Sequence, residues 1–408
     1  SSAASDVYKR QVTKEMVVIV VPTNFLQTKI GIIGGGQLGQ MMILEAKKMG
    51  FYVIVLDPTP DCPAHSICDE HIIADFNDKN AFALLAEKAD VITYEFEHIN
   101  ADALLELENK GYKIYPTAKS LKIIQDKFTQ KTLMAENGLP CPDFMAIESI
   151  EDMEKAGEKY GYPYMLKART GGYDGKGNAV VKSKDSITSA YNELGSGKIK
   201  LMAEKMINFR METSVLACRS LNGDVAVYPV GDNRHIDSIL HETVVPADID
   251  KTATEGAMNA AKKVMEIFDG IGMFCVEMFV TEDDQILINE VAPRPHNSGH
   301  YTIEGCVTSQ FENHIRAIVG LPLGDTSLIR PTVMVNLLGE ECHSGKTYVD
   351  GLYDVCALKG ATVHIYGKGI SKPKRKMGHI TVTADTVKEA LETADKAFSL
   401  IKITSKED

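Results

Sequence analysis

Two glutamates in the second half of the chain have a spacing suited to holding a divalent cation. Glu277 and Glu290 each lie in a short apolar run, and a two-residue turn at Asp283 and Asp284 would pair them directly on antiparallel strands. Opposed carboxylates repel each other unless a cation compensates them, and Mg²⁺ prefers carboxylate oxygens together with nucleotide phosphates. The spacing therefore predicts a Mg²⁺ site, with Mn²⁺ as an alternative ion, unless both side chains point to solvent. In an ideal strand Asn289 would point away from this site.

A glycine-rich loop precedes these glutamates. The segment 170–177 contains four glycines and separates two strand candidates, 164–168 and 178–181. Such a hairpin can cover nucleotide phosphates with its N–H groups and exclude water, although a flexible hairpin without a ligand is the alternative. Lys167 ends the first strand in an apolar run, where a lysine is costly unless it meets an anion, so we assign it to the phosphates of ATP. Local sequence alone favours a solvated helix lysine at Lys127.

A second glycine loop lies nearer the N-terminus. The segment 34–39 satisfies G-x-G-x-x-G between a strand and a helix, and Asp57 ends the next strand. Taken alone, this pattern is typical of an NAD-dependent dehydrogenase. Glycines at a helix N-terminus also admit other phosphates or polar ligands, or only form a tight turn. Because the remaining motifs favour ATP chemistry, we interpret the loop as part of a substrate site.

Two further segments could bind anions. The loop 294–300 would present Arg294, His296 and Asn297 beside the expected metal, unless it is an ordinary surface loop. The segment 368–376 carries five basic residues in a chain of net charge −12, which indicates an anion-binding loop or a solvated hairpin tip.

Composition narrows the class of protein. A net charge of −12 over 408 residues argues against nucleic-acid binding, which needs clustered positive charge. The eight cysteines form no C-x-x-C pair, so reduced thiols and a cytoplasmic location are expected. No apolar run approaches the roughly 18 residues needed to cross a membrane, and no membrane partner is expected.

The order of secondary-structure signals predicts several domains. Strands and helices alternate over 29–115, which indicates a Rossmann-like parallel sheet. One helix is expected over 118–137, followed by an antiparallel α+β region and a small β-rich C-terminal part. The fold class is therefore α/β and α+β. The predicted limits are an extension of doubtful origin at 1–28, an N-terminal domain at 29–125, a central antiparallel-sheet domain at 126–329 and a C-terminal domain at 330–408.

Five segments in order carry a family resemblance. From about Lys29 onward, the chain resembles the 5-(carboxyamino)imidazole ribonucleotide synthases, the ATPase subunits of phosphoribosylaminoimidazole carboxylase in the ATP-grasp superfamily. The segments that carry the resemblance are 34–40, 93–98, 171–177, 289–300 and 375–379.

The resemblance implies a three-domain ATP-grasp fold and a homodimer. It also implies a ligase of purine biosynthesis that uses ATP and bicarbonate to carboxylate 5-aminoimidazole ribonucleotide, giving 5-carboxyaminoimidazole ribonucleotide, ADP and phosphate. Another ATP-grasp carboxylate–amine ligase is the main alternative, and an NAD-dependent dehydrogenase is the weaker one.

The resemblance further implies four groups of site residues. Many relatives carry arginine at the position of Lys176, and because lysine cannot form a bidentate fork, its contact with bicarbonate is expected to differ. ATP would be bound by Lys127, Lys167, Gly172, Tyr173, Asp174, Gly175, Gly177, Glu204, Glu212 and Asn289. The metal would be held by Glu277 and Glu290. The ribonucleotide would contact Gln37, Leu38, Glu95, Tyr173 and Arg294, with its phosphate near Lys368 and Arg375. The catalytic residues at the bicarbonate would be Lys176, His296, Asn297 and Lys376.

Overall fold

The computed structural model describes residues 27–172 and 177–406. Most of the predicted N-terminal extension lies outside this range, as do four predicted site residues, Tyr173, Asp174, Gly175 and Lys176. None of the helices in the described residues combines the length and the apolar character that crossing a membrane requires.

The N-terminal region is built on a four-stranded parallel sheet, as predicted. Every pairing in the strand order β3-β2-β1-β4 is parallel. Strand β1, one of the two inner strands, is buried over four of its five residues because helices cover both faces of the sheet. The elements are β1 (Lys29–Ile33), α1 (Gln37–Lys48), β2 (Tyr52–Leu56), β3 (Glu70–Ile72), α2 (Lys79–Lys88), β4 (Val91–Tyr94), α3 (Ala101–Asn109) and α4 (Ala118–Gln125).

The prediction of one helix over 118–137 is wrong. Helix α4 ends at Gln125, and a new helix, α5 (Lys127–Glu136), begins two residues later. Asp126 separates them, because its extended backbone interrupts the helix while its carboxylate accepts hydrogen bonds from the N–H groups of Phe128 and Thr129. The break makes Lys127 the first residue of a helix.

The central region contains two antiparallel sheets. One has four strands in the order β5-β8-β6-β7, and the other has nine strands and continues beyond residue 330. The elements after α5 are β5 (Phe144–Ile147), α6 (Ile150–Tyr160), β6 (Tyr164–Ala168), β7 (Asn178–Val181), α7 (Ile187–Glu193), β8 (Leu201–Lys205), β9 (Phe209–Arg219), β10 (Val225–Val227), β11 (Gly231–Ile236), β12 (Ile239–Val245), α8 (Lys251–Ile267), β13 (Gly272–Thr281), β14 (Ile286–Ala292), α9 (Thr302–Gly305) and α10 (Gln310–Val319).

The C-terminal region extends the nine-stranded sheet and also has a core of its own. Strands β15, β19 and β17 follow β12 in that sheet, while β18, β16 and β20 form a separate three-stranded sheet. Helix α12 packs Ala390, Ala394 and Ala397 into this core. The domain limits given above remain a prediction. The elements are β15 (Thr332–Leu338), β16 (Gly345–Asp350), α11 (Leu352–Cys356), β17 (Ala361–Ile365), β18 (Ile370–Ser371), β19 (Lys376–Thr383), α12 (Val387–Leu400) and β20 (Lys402–Lys406).

Candidate active site

One cleft of about 1020 Å³ receives side chains from all three regions of the fold. Every predicted site residue within the described ranges except Gly177 lines it. These residues are Gln37, Leu38, Glu95, Lys127, Lys167, Gly172, Glu204, Glu212, Glu277, Asn289, Glu290, Arg294, His296, Asn297, Lys368, Arg375 and Lys376.

The predicted opposition of Glu277 and Glu290 is confirmed, but the predicted turn is wrong. The connection between β13 and β14 has three residues, 282–284, because Thr281 N–H donates to the carbonyl of Gln285. This turn alone would shift the strands out of the predicted register. A β-bulge then adds one residue to β14, so the two glutamates become direct partners again.

The bulge also changes the orientation of Asn289. Met278 pairs with Ile288 and Glu277 pairs with Glu290, which leaves Asn289 as the extra residue between them. Asn289 and Glu290 consequently both line the cleft, and Lys167 Nζ lies 3.4 Å from Asn289 Oδ1. The expectation that Asn289 points away is therefore wrong, because strand alternation is interrupted at a bulge.

Each opposed glutamate has a cationic or ionisable neighbour. Glu290 forms an ion pair with Lys127, and His296 Nε2 lies 3.1 Å from Glu277 Oε1. Burial disfavours the charge on Lys127, but the Glu290 carboxylate raises the pKa of the ammonium overall. Burial likewise opposes ionisation of Glu277, yet His296 holds the pKa of this carboxyl below its usual value. The carboxylate and amide oxygens at 277, 289 and 290 fit a hard divalent cation such as Mg²⁺.

On the four-stranded antiparallel sheet, the buried carboxylate of Glu204 faces two lysines. Glu204 lies 2.6 Å from Lys167 Nζ and 2.7 Å from Lys131 Nζ, and only 3% of its side chain is exposed. Burial raises the pKa of Glu204, but the two lysines lower it below the ordinary value. Lys131 was missed by the sequence interpretation. Its position one helical turn after Lys127 is the signal that could have indicated it.

A histidine that the sequence did not indicate accompanies Glu212. His235 on β11 forms an ion pair with Glu212 on β9, and both line the cleft. Burial lowers the pKa of His235, but the Glu212 carboxylate raises it overall. Because the two residues are distant in sequence, no local pattern could have paired them.

The first glycine loop already holds protein carboxylates. Glu95 accepts hydrogen bonds from the N–H groups of Gly36 and Gly39, both at 2.7 Å, and Asp57 accepts one from Gly35 at 2.8 Å. Gly39 must lack a side chain, because a Cβ there would lie 2.3 Å from the carbonyl oxygen of Gly34. A dinucleotide pyrophosphate would need these same N–H groups, so the dehydrogenase alternative is wrong.

Arg294 and Asn297 occupy the neighbouring wall of the cleft. Arg294 Nε lies 2.9 Å from Glu97 Oε1. Burial raises the pKa of the Glu97 carboxyl, but the guanidinium of Arg294 outweighs this effect and lowers the pKa overall. Asn297 is 8% exposed, and neither atom of its amide has a hydrogen-bond partner among the described residues. A buried amide without partners indicates a place for a polar ligand.

Lys368 joins the C-terminal region to the first glycine loop. Its Nζ donates to Gln37 Oε1 at 2.9 Å and to the backbone oxygen of Lys376 at 2.7 Å. Burial and the neighbouring Arg375 lower the pKa of Lys368 to about 8, although Glu95 opposes this effect. The predicted substrate residues Gln37, Glu95 and Lys368 are therefore brought together.

Three family models match successive parts of the chain. They describe a ribonucleotide synthetase preATP-grasp domain at residues 27–125, an ATP-grasp domain at 132–311 and a phosphoribosylaminoimidazole carboxylase C-terminal domain at 332–393. Their order agrees with the parallel, central and C-terminal regions of the fold.

Similar proteins cover nearly the whole chain. The N5-carboxyaminoimidazole ribonucleotide synthase of Bacillus subtilis is 43% identical over 86% of this chain and 90% of its own length. The crystal structure of the synthetase from Thermotoga maritima is 46% identical, with a TM-score of 0.85, and covers 93% of this chain and 100% of that one. An Aspergillus clavatus synthase in complex with ADP and 5-aminoimidazole ribonucleotide is 36% identical, with a TM-score of 0.85 over 92% and 99% of the two chains. The chain therefore belongs to the N5-carboxyaminoimidazole ribonucleotide synthase family of ATP-grasp ligases.

Proposed function

We propose that this cleft carries out the ATP-dependent carboxylation of 5-aminoimidazole ribonucleotide to N5-carboxyaminoimidazole ribonucleotide in purine biosynthesis. Bicarbonate supplies the carboxyl group, and ADP and phosphate are the other products. The observation that carries the proposal is the convergence of the predicted site residues from three regions on one cleft.

The ATP phosphates are bound between the two antiparallel sheets. Lys127 and Lys167 donate to the phosphates, while Glu204 keeps Lys167 in position and Glu212 contacts the nucleotide. Glu277 and Glu290 are the ligands for Mg²⁺, with Asn289 beside them. When bound, this ion supplies positive charge at the transferring phosphoryl group. Mn²⁺ is a possible replacement because it accepts the same oxygen ligands.

The ribonucleotide lies where the first glycine loop meets the C-terminal region. Gln37, Leu38, Glu95 and Arg294 contact its base and sugar. Its phosphate is bound by Lys368 and Arg375, which supply positive charge close to the N-terminus of α1. Tyr173 belongs to the same proposed contact set but lies outside the described residues.

Bicarbonate is activated and captured in the same cleft. One of its oxygen atoms attacks the γ-phosphorus in line, and the bond to the ADP oxygen breaks, giving carboxyphosphate. The amine nitrogen then attacks the carboxyl carbon, directly or after release of CO₂; phosphate leaves and the amine loses a proton. His296, Asn297 and Lys376 orient the carboxyl group, together with Lys176 of the glycine-rich loop. Closure of that loop would exclude water from the intermediate.

A homodimer remains a proposal drawn from the family resemblance, and a cytoplasmic location remains one drawn from the cysteine pattern. A molar mass measured in solution tests the dimer, and fractionation of cells tests the location.

A phosphate-release assay tests the reaction itself. ATP and Mg²⁺ are supplied with bicarbonate and 5-aminoimidazole ribonucleotide, first separately and then together. We expect rapid phosphate release only when the ribonucleotide is present, with formation of the carboxylated ribonucleotide and no oxidation of NADH. If a different amine stimulated turnover and the ribonucleotide did not, another carboxylate–amine ligase activity would replace this proposal.

A further inference from the structure

A cysteine lies behind the opposed glutamates and brings a different kind of ligand to the cleft. One ligand atom each from Cys275, Glu277 and His296 lie within 4.8 Å of one another. Cys275 and Glu277 are two residues apart on β13, so both side chains leave the same face of the strand. A sulfur, a carboxylate oxygen and an imidazole nitrogen are therefore close together, with Glu277 and His296 lining the cleft and Cys275 fully buried behind them.

The three side chains are held on rigid supports. Strand β13 is paired along its length with β9 and β14, which fixes the positions of Cys275 and Glu277. His296 Nδ1 lies 2.9 Å from Ser298 Oγ, which in turn lies 2.9 Å from Ser214 Oγ. A ligating histidine usually has its second ring nitrogen oriented by such a partner.

The donor types select against Mg²⁺ and in favour of a softer cation. Mg²⁺ prefers six oxygen ligands, whereas Zn²⁺ binds thiolate, imidazole and carboxylate together in tetrahedral geometry. Metal–ligand bonds of about 2.0–2.3 Å require ligand atoms roughly 3.5 Å apart, so these atoms, now within 4.8 Å of one another, would have to move closer together. A thiolate and a carboxylate would also neutralise the charge of the ion.

We propose that Cys275, Glu277 and His296 form a Zn²⁺ site that competes with the catalytic use of the cleft. On binding, the Cys275 thiol and the imidazolium of His296 each lose a proton to solvent, and a water molecule from the cleft completes the fourth position. Because Glu277 and His296 are then engaged, bound Zn²⁺ inhibits turnover. This last step rests on the proposed function, whereas the metal site itself does not.

Co²⁺ provides a direct test, because a cobalt–thiolate bond gives a charge-transfer absorption band that oxygen and nitrogen ligands do not. Purified protein is titrated with Co²⁺ without nucleotide, and Zn²⁺ is then added to displace it. We expect a thiolate band in the wild type that Zn²⁺ abolishes and that Cys275→Ala lacks. The Zn²⁺ affinity should fall in this variant by more than the roughly 10- to 100-fold that loss of an outer-shell partner costs.

Cys218→Ala is the matched control. Cys218 is as fully buried as Cys275 and belongs to the same hydrophobic cluster, but its sulfur faces the backbone oxygen of Asn313. This variant should keep the band and the Zn²⁺ affinity. Cys275→Ser preserves the side-chain volume and should lose the band even if the alanine variant is unstable.

Two results would overturn the site. Either the wild type shows no cobalt–thiolate band, or Cys275→Ala and Cys275→Ser retain it. If the band behaves as expected but Zn²⁺ does not inhibit phosphate release, the site exists and the inhibition is rejected. A protein that binds Zn²⁺ through Cys275 but shows no ribonucleotide-dependent turnover would contradict the proposed function alone.

Discussion

Three lysines beside the antiparallel sheets differ in what they face from Lys368, which lies where the C-terminal region meets α1. Beside the antiparallel sheets, Lys127 faces Glu290, and both Lys131 and Lys167 face Glu204. Where the C-terminal region meets α1, the hydrogen-bond acceptors of Lys368 are a side-chain amide oxygen and a backbone oxygen. The Glu290 carboxylate raises the pKa of Lys127 despite burial, whereas burial outweighs Glu204 and lowers the pKa of Lys131. Burial and Arg375 lower the pKa of Lys368 to about 8.

The two regions therefore differ in their charge balance before a phosphate group binds. The first region is close to charge balance without a ligand, so a nucleotide must replace carboxylates as the partner of Lys127. Lys368 instead has lost water without gaining an ionised hydrogen-bond partner, so an anionic ligand restores the favourable interaction that burial removed. We therefore expect the activity to depend most on the carboxylates in the first region and most on the pH in the second.

Removing either opposed glutamate should give the largest effect. Glu277→Gln or Glu290→Gln keeps the shape of the side chain but removes one negative charge from the proposed metal site. Phosphate release should fall by roughly 100-fold or more, with a higher Mg²⁺ requirement. Glu282→Gln, an exposed change in the same hairpin, should behave as the wild type. Normal Mg²⁺ dependence in both active-site variants would remove these carboxylates from the proposed metal site.

Breaking the buried lysine–glutamate group should give the next largest effect, which is a loss of stability. Lys131→Met removes one of two cations from Glu204, whose side chain is 3% exposed. Loss of one partner from such a buried group costs about 3 kcal/mol or more in the free energy of unfolding. Urea denaturation measures this change. Lys122→Met, which removes an exposed ion pair between Lys122 on α4 and Asp102 on α3, should leave stability almost unchanged. Equal stabilities for the two variants would show that Lys131 is dispensable.

Lys368 predicts a pH effect of intermediate size. Lys368 is charged below its pKa of about 8 and neutral above it. The kcat/KM for the ribonucleotide should therefore fall by up to about tenfold for each pH unit above that value. Lys368→Arg should abolish this fall because arginine stays charged. The exposed Lys372→Ala is the control, and a fall that persists in Lys368→Arg would assign the titration to another group.

The hairpin of the opposed glutamates shows how far sequence reasoning reached. Alternation and turn residues correctly predicted that Glu277 and Glu290 are partners, but through a two-residue turn that does not form. The longer turn and the bulge at Asn289 compensate each other. Neither could be predicted, because both depend on pairing along the whole strand rather than on local residue preference.

Contacts between distant segments account for the other errors. Local helix propensity predicted one helix over 118–137, whereas Asp126 caps a new helix and also pairs with Arg169, 43 residues away. Glu95 was expected to contact the ribonucleotide together with Gln37 and Leu38, but its two hydrogen bonds to N–H groups of the first glycine loop could not be predicted from spacing. Because those bonds occupy N–H groups that a dinucleotide pyrophosphate would need, they argue against dinucleotide binding more directly than the motif does.

His296 gives the smallest expected effect and the most specific one. The sequence predicts His296 beside the expected metal, and the structure places its Nε2 3.1 Å from Glu277 Oε1. His296→Ala should therefore slow phosphoryl transfer by weakening the orientation of Glu277. It should also remove a donor that orients the carboxyl carbon, so that ADP forms in about twofold or greater excess over carboxylated ribonucleotide.

A glutamine at the same position distinguishes these two roles. His296→Gln can still donate a hydrogen bond to Glu277 but cannot carry a positive charge. If the charge of His296 orients the carboxyl group, the molar ratio of ADP to product should stay above one in the glutamine variant even where the rate recovers. The ratio must be measured promptly, because the carbamate product is labile. A ratio near one in both variants would reject the capture role and leave His296 as a positioning residue for Glu277.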